Sequence, residues 1–408
     1  MIIPIDEGRL WHRHEAMARI GARSDGGVDR PCLSPTDREA RALLAEWAAQ
    51  RGFSLSVDPA GNLFVRRPGG EAGPAVLTGS HMDSQPTGGR FDGIYGVLAG
   101  FEILEALEDG GIETRLPIEL VAWTNEEGAR FSPACAGSMC FSGARRLEDF
   151  LGLVDRDGIT FGAALAETLA ALPQAAQRPF GPPPKAYVEA HIEQGPVLER
   201  AGREIGVVSG IQGARWFEVT VMGVCAHAGT TPLGARKDAL QAAVAMIAAL
   251  RSDFADPSDT TRFTVGKVVV SPNSPNTVPD RVFFSVDIRH PDAEILQRLG
   301  ERVAPICREN VGPCEVEIRA TVENQPCRFD SDIAALIERG AEELGLSSMS
   351  LPSGAFHDAH FLQLIAPSGM IFVPCAGGVS HHPSESATPA DLAAGCRVLA
   401  KTLLALAS

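Results

Sequence analysis

Four apolar runs in this chain end on side chains that can bind a cation or move a proton. AVLTGSHMDS delivers His81 and Asp83, ELVAWTNEEG delivers Glu126 and Glu127, AYVEAHIEQG delivers His191, and MIFVPCAGGVSHHPSE delivers His381, His382 and Glu385. A fifth stretch, GGRFDG, sets Asp92 between glycines just before a helical pattern. Histidine and carboxylate donors without cysteine suit Zn²⁺, Mn²⁺ or Co²⁺ at a catalytic centre. A carboxylate flanked by ligands on both sides can bridge two ions, and Asp92 is the candidate bridge. Asp83, two residues after His81, is placed to accept that histidine's other ring N–H and so orient it. The adjacent Glu126 and Glu127 repel each other, and burying either is costly without a partner. One of them on a cation, with the other free as a general base beside a polarised water, resolves that conflict. Alone, a His-x-Asp is a capped turn and a Glu pair a solvated face; their joint occurrence at strand ends favours a metal site. His381 and His382 compete for one ligand position. His12, His14, His290 and His360 carry no such context and are read as surface or core residues.

The elements that must position these groups alternate. AVLTGS, PIELVAWTN, AYVEAHIEQG and REIGVVSGI read as strands, and IYGVLAGFEILEALEDGG as a helix. TDREARALLAEWAAQRG reads as another helix, capped by Thr36 or Asp37 and stopped at Gly52. That order predicts an α/β fold with a mainly parallel sheet, whose sites lie outside the carboxyl ends of the strands. RPFGPPPKAY punctuates the run between a helix and the next strand. Residues 213–330 change texture: ARWFEVTVMG and RVFFSVDIRH alternate with period two, each followed by a helical pattern. This predicts an α+β satellite inserted into a catalytic domain formed by residues 1–212 and 331–408.

Bulk properties narrow the function. The 408 residues carry a formal net charge of −15 and 45% hydrophobic residues, which argues against binding nucleic acid or anionic lipid. No stretch of about 20 apolar residues predicts a membrane span, and the opening residues lack the pattern of a signal peptide. The nine cysteines are scattered, with no C-x-x-C pair. They read as free thiols of a reducing, cytoplasmic compartment rather than a disulfide framework.

GSHMDSQPTGGRFDG, TNEEGARF, HIEQGPVLE, HAGTTP, NTVPD, DIRH, SGAFHDA and SHHPSE together resemble the hydantoinase/carbamoylase family of metal-dependent amidases, within the aminoacylase- and carboxypeptidase-like metallohydrolases. The resemblance runs in order from about residue 76 to 386. It implies two divalent ions per subunit, Zn²⁺ or Mn²⁺/Co²⁺. His81, Asp92 and His191 would hold one; Asp92, Glu127 and His381 the other. Ser-His-x-Pro-x-Glu aligns Ser380 with the family's serine, which selects His381 over His382. Glu126 then becomes the general base. The satellite becomes a lid and the interface of a homodimer, with His227 stabilising the oxyanion in the partner's site. Arg289 and Asn276 would hold the substrate carboxylate, with Arg215, Gln194 and His357 as further contacts. The implied reaction cleaves the ureido C–N bond of an N-carbamoyl-L-amino acid or N-carbamoyl-β-alanine. Allantoate hydrolysis is the alternative, and a non-catalytic metal-dependent binding protein on the same scaffold the more distant one.

Overall fold

Strands Val76–His81, Ile118–Trp123, Ala186–Ile192 and Ser368–Val373 are buried at every residue, as strands covered on both faces must be. They pair in parallel: Ser368–Val373 beside Ala186–Ile192, then Val76–His81, then Ile118–Trp123. Parallel neighbours share a direction, so all four carboxyl ends lie along one edge of the sheet. Helix Ile94–Asp109 comes after the first of them and is buried from Ile94 through Leu107. Helix Pro389–Ala407 packs against it and against strand Ser368–Val373.

Antiparallel strands flank this centre, a detail that strand–helix alternation does not convey. Leu63–Arg67 pairs with Ile118–Trp123 and with Ser54–Val57 on one side, and Ile205–Ile211 with Ser368–Val373 on the other. The whole is the expected mixed α/β architecture with a mostly parallel central sheet.

The computed structural model describes residues 3–408, and the chain divides into two units. One runs to Ser209 and resumes at Phe329–Ser408; the other is Gly210–Arg328. The change in texture sets the joins at 212/213 and 330/331, a few residues later. In the second unit, Gly213–Met222, Arg281–His290 and Glu315–Asn324 form an antiparallel sheet with Arg262–Thr264 and Val268–Ser271. Its alternating buried residues, among them Phe217, Val219, Val221, Val282, Phe284 and Ile288, meet Met246 and Leu250 of helix Ala239–Asp253 and Val303 and Ile306 of helix Ala293–Glu309. Each such side chain contributes about 1.5–3 kcal/mol of burial, which gives this unit a core of its own.

One helix cap differs from expectation. Helix Pro35–Gln50 is capped by Ser34, whose side chain accepts the Asp37 N–H. Pro35 takes the first helical position, where its missing N–H costs nothing, and this moves the cap back. Asp37 is thereby freed to accept the Leu33 N–H and to pair with Arg41 at 2.9 Å, both side chains fully buried.

Candidate active site

Asp92 is the centre of the strand-end cluster. Its Oδ1 lies 3.7 Å from His81 Nε2 and 3.2 Å from His191 Nε2; its Oδ2 lies 3.2 Å from His381 Nε2. His381 Nε2 is in turn 3.4 Å from Glu127 Oε2. Two donor groups therefore face the two oxygens of one carboxylate: His81, Asp92 and His191, and Asp92, Glu127 and His381, with the donor atoms in each group within 4.8 Å of one another. Both buried histidines have their tautomer set from behind. His81 Nδ1 is hydrogen-bonded to the Asp83 carbonyl and His191 Nδ1 to the Ile192 carbonyl, each at 2.9 Å. That leaves Nε2 as the lone-pair nitrogen facing Asp92. His191 Nε2 also accepts the Gly93 N–H at 3.1 Å.

Gly93 allows this closeness. It sits at φ +67°, and a Cβ there would fall 2.2–2.4 Å from the His81 ring, so only glycine lets Asp92 and the first turn of the next helix approach the imidazole.

Asp83 does not take the role its spacing suggests. Its carboxylate is 3.8 Å from His81 Nδ1, because its own backbone carbonyl, at 2.9 Å, takes that proton. The carboxylate accepts the backbone N–H groups of Glu126 and Glu127 instead, each at 3.3 Å. It fixes the loop that carries the glutamate pair. Other partners hold the same loop: Asn125 adopts φ +59° with its amide on the Phe131 and Pro133 carbonyls, and Asn62 Oδ1 accepts the Thr124 N–H at 3.0 Å. Asp58 orients Asn62 through a 2.8 Å hydrogen bond. Glu127 is held by Gln85, which donates from its side chain at 2.8 Å and its backbone at 3.2 Å. Glu126 Oε2 points the other way, 3.3 Å from His81 Nε2.

The cluster draws positive charge. Burial, then Asp358 and Glu127, push Glu126 well above the carboxylate range. Burial and Asp92 push Glu127 up to about 8, and burial with Asp37 pushes Asp83 up to about 7. Burial also works to raise Asp92, yet the His191 and His381 rings facing it hold it well below the carboxylate range. Carboxylates crowded into a buried pocket this way are stabilised by a cation among them. Imidazole and carboxylate donors with preset tautomers fit a divalent ion of the Zn²⁺, Mn²⁺ or Co²⁺ type. Glu189, His191 and His357 are grouped as tightly, but their polar atoms are engaged. Ser80, Tyr187 and the Ala359 N–H satisfy Glu189, and Ser353 meets His357 Nε2 at 2.9 Å.

The remaining sequence candidates divide by unit. Gln194 reaches the cluster, but through its amide nitrogen, which donates to Asp92 Oδ2 at 2.9 Å and Ser380 Oγ at 3.1 Å. His357 packs edge-on against the His191 ring, 4.6 Å between centroids, and burial keeps it neutral. His382 is exposed and turned to Ser384, whereas His381, at φ +55°, faces Asp92. In the second unit, Arg289 pairs with Asp287 at 2.9 Å, Arg215 donates to the Gln297 carbonyl, and Asn276 accepts from Ser274. His227 Nδ1 accepts the Gly229 and Thr230 N–H groups, which leaves Nε2 as its donor. The sequence marks Glu385 without giving it a role, and it does not mark Asn62, Asp58 or Glu189 at all. Asn62 and Glu189 act on partners far away along the chain, Thr124 and Ser80, and the local bonds of Asp58 within the turn-forming DPAGN speak only of a turn.

Comparison with known proteins points in the same direction. Residues 77–405 match the model of peptidase family M20/M25/M40. An N-carbamoyl-L-amino-acid amidohydrolase of Rhizobium meliloti is 39% identical over 98% of this chain and 96% of its own. An allantoate amidohydrolase of Bacillus subtilis is 35% identical over 96% of both. The crystal structure of a hydantoinase/carbamoylase family amidase from Burkholderia ambifaria superposes with a TM-score of 0.93 at 43% identity, covering 100% of this chain and 99% of that one.

Proposed function

The chain belongs to peptidase family M20/M25/M40, a metal-dependent family, and is a hydrolase of amide C–N bonds; from that premise we propose that it hydrolyses the ureido group of N-carbamoyl-L-amino acids or N-carbamoyl-β-alanine. The products are the amino acid, ammonia and carbon dioxide. One observation carries the reading: Asp92 presents its two oxygens to two donor groups while Glu126, beside them, belongs to neither.

Divalent ions held by His81, Asp92, His191, Glu127 and His381 would acidify water and polarise the carbonyl under attack. Glu126, with its affinity for protons raised by burial, takes the proton of the attacking water and returns it to the departing nitrogen. Asp83 keeps Glu126 in place through its backbone N–H. His227, with Nε2–H as donor, supports the oxyanion. Arg289 and Asn276 hold the substrate carboxylate, and the planar guanidinium suits that group. Arg215, Gln194 and His357 complete the substrate contacts. The second unit serves as lid and as the interface of a homodimer. The nine free cysteines fit a cytoplasmic location.

Allantoate is the second candidate substrate, favoured by the likeness to the Bacillus subtilis enzyme. Ammonia release from each compound in the presence of Mn²⁺, Zn²⁺ or Co²⁺ separates the two. Allantoate turnover alone would replace the first reading with the second.

A further inference from the structure

Glu385 is almost wholly buried and lies beside the candidate metal groups without belonging to either. Its Oε1 accepts the backbone N–H groups of Phe91 at 2.9 Å and Asp92 at 3.0 Å. Its Oε2 accepts the Ser380 hydroxyl at 3.0 Å. Ser380 precedes His381, and its Oγ also stands 3.2 Å from Asp92 Oδ2. One carboxylate thus joins two loops 293 residues apart, one carrying Asp92 and the other His381. The fit is close: a Cβ on Gly89 would fall 2.1 Å from the Glu385 carboxyl carbon and oxygen. Gly89 has no left-handed backbone to require glycine, so space for this carboxylate is the reason for glycine there.

We propose that Glu385 is a positioning residue that ties the Asp92 loop to the His381 loop and so sets the spacing of the two donor groups on Asp92. The inference rests on the reading of those groups as metal ligands. It makes Glu385 a hydrogen-bond acceptor, not a ligand, which distinguishes two substitutions. In Glu385→Gln the amide oxygen still accepts the Phe91 and Asp92 N–H groups, and the amide nitrogen can donate to Ser380 Oγ. In Glu385→Ala all three bonds are lost.

The test is calorimetric titration of the metal-stripped full chain with Mn²⁺, alongside thermal unfolding of each variant. Removing groups that orient ligands costs about 10- to 100-fold in metal affinity. That loss is expected for Glu385→Ala, and Glu385→Gln is expected to keep most of the wild-type affinity. Gly89→Ala, which displaces the carboxylate from the opposite side, is expected to weaken Mn²⁺ binding as well, and it carries the test if Glu385→Ala does not fold. Wild-type affinity in both Glu385→Ala and Gly89→Ala would overturn the proposal. So would a loss in Glu385→Gln as large as in Glu385→Ala, because the carboxylate would then act by its charge or as a ligand. A wild-type chain that binds no Mn²⁺ would overturn the metal reading itself, a result distinct from either.

Discussion

Gly93→Ala separates two costs that glycine usually hides together. Position 93 has φ +67° and ψ −54°, outside the left-handed helical region, so an L-residue there is strained by more than the roughly 1–2 kcal/mol of that region whatever surrounds it. The new Cβ would also sit 2.2 Å from His81 Cε1 and 2.3 Å from Nε2, where ordinary carbon contacts are about 3.5–4.0 Å. The ring must therefore retreat by roughly 1.5 Å. It is buried and tied to the Asp83 carbonyl, so the retreat moves Nε2 away from Asp92 and Glu126 and breaks the present geometry. A misplacement of about 1 Å near the chemistry costs on the order of 100-fold in rate. Gly111→Ala is the control for a positive φ without a clash: φ is +59°, and nothing lies within 4 Å of its Cβ. Both variants are expected to lose about 1 kcal/mol or more of stability from backbone strain, read as a lower thermal midpoint. Only Gly93→Ala is expected to lose Mn²⁺ affinity and kcat/KM, by about two orders of magnitude in the latter. If the two variants bind Mn²⁺ and turn over substrate alike, the contact between Gly93 and His81 does not shape the site.

Other substitutions test separate parts of the account. Glu126→Gln should leave Mn²⁺ binding intact and lower kcat by about 10²- to 10⁴-fold; wild-type turnover would remove Glu126 from the role of base. Arg41→Met should be strongly destabilising, by about 3–5 kcal/mol, because it strands the buried Asp37 carboxylate, and Asp37→Asn in the same chain should recover part of that loss; a thermal midpoint unchanged by Arg41→Met refutes it. His14 packs against Phe91 and Tyr95 with neither ring nitrogen hydrogen-bonded, and burial holds its pKa down at about 3. The unfolded chain binds that proton below about pH 6.5 and the folded chain does not, so stability is full above 6.5 and falls on acidification toward 3. His14→Leu should remove that slope, narrowing the loss between pH 7 and pH 5 by about 2 kcal/mol; an identical pH dependence of the unfolding midpoint would contradict it.

Strand ends are the legible part of this chain. Apolar runs closing on His81, Glu126, His191 and His381 declare both a buried strand and the reactive groups at its end, because burial and chemistry write different residue types. The period-two runs of the second unit are equally plain, since one face of that sheet meets helices and the other does not. Asp83 shows where such reading stops: spacing places a carboxylate near His81, but whether side chain or carbonyl reaches Nδ1 is decided by the turn. The antiparallel flanks escape because strand–helix alternation says nothing of what joins the sheet at its sides. Asn62, and the role of Glu385, escape for a stronger reason. Each acts on backbone groups remote in sequence, and a backbone N–H leaves no mark on the residue type that carries it. Gly89 and Gly93 do leave a mark, but a glycine explained by a neighbour's ring or carboxylate reads, in sequence, like any turn.

The most direct test of the central claim is ammonia release by the purified chain, with Mn²⁺, Zn²⁺ or Co²⁺ and with chelator, from N-carbamoyl-L-amino acids, N-carbamoyl-β-alanine, allantoate and N-acetyl-amino acids, the last monitored by amine release. The account predicts turnover of the carbamoyl compounds that chelator abolishes and added metal restores. Turnover that persists in chelator, or none on any ureido compound with metal bound, would contradict it.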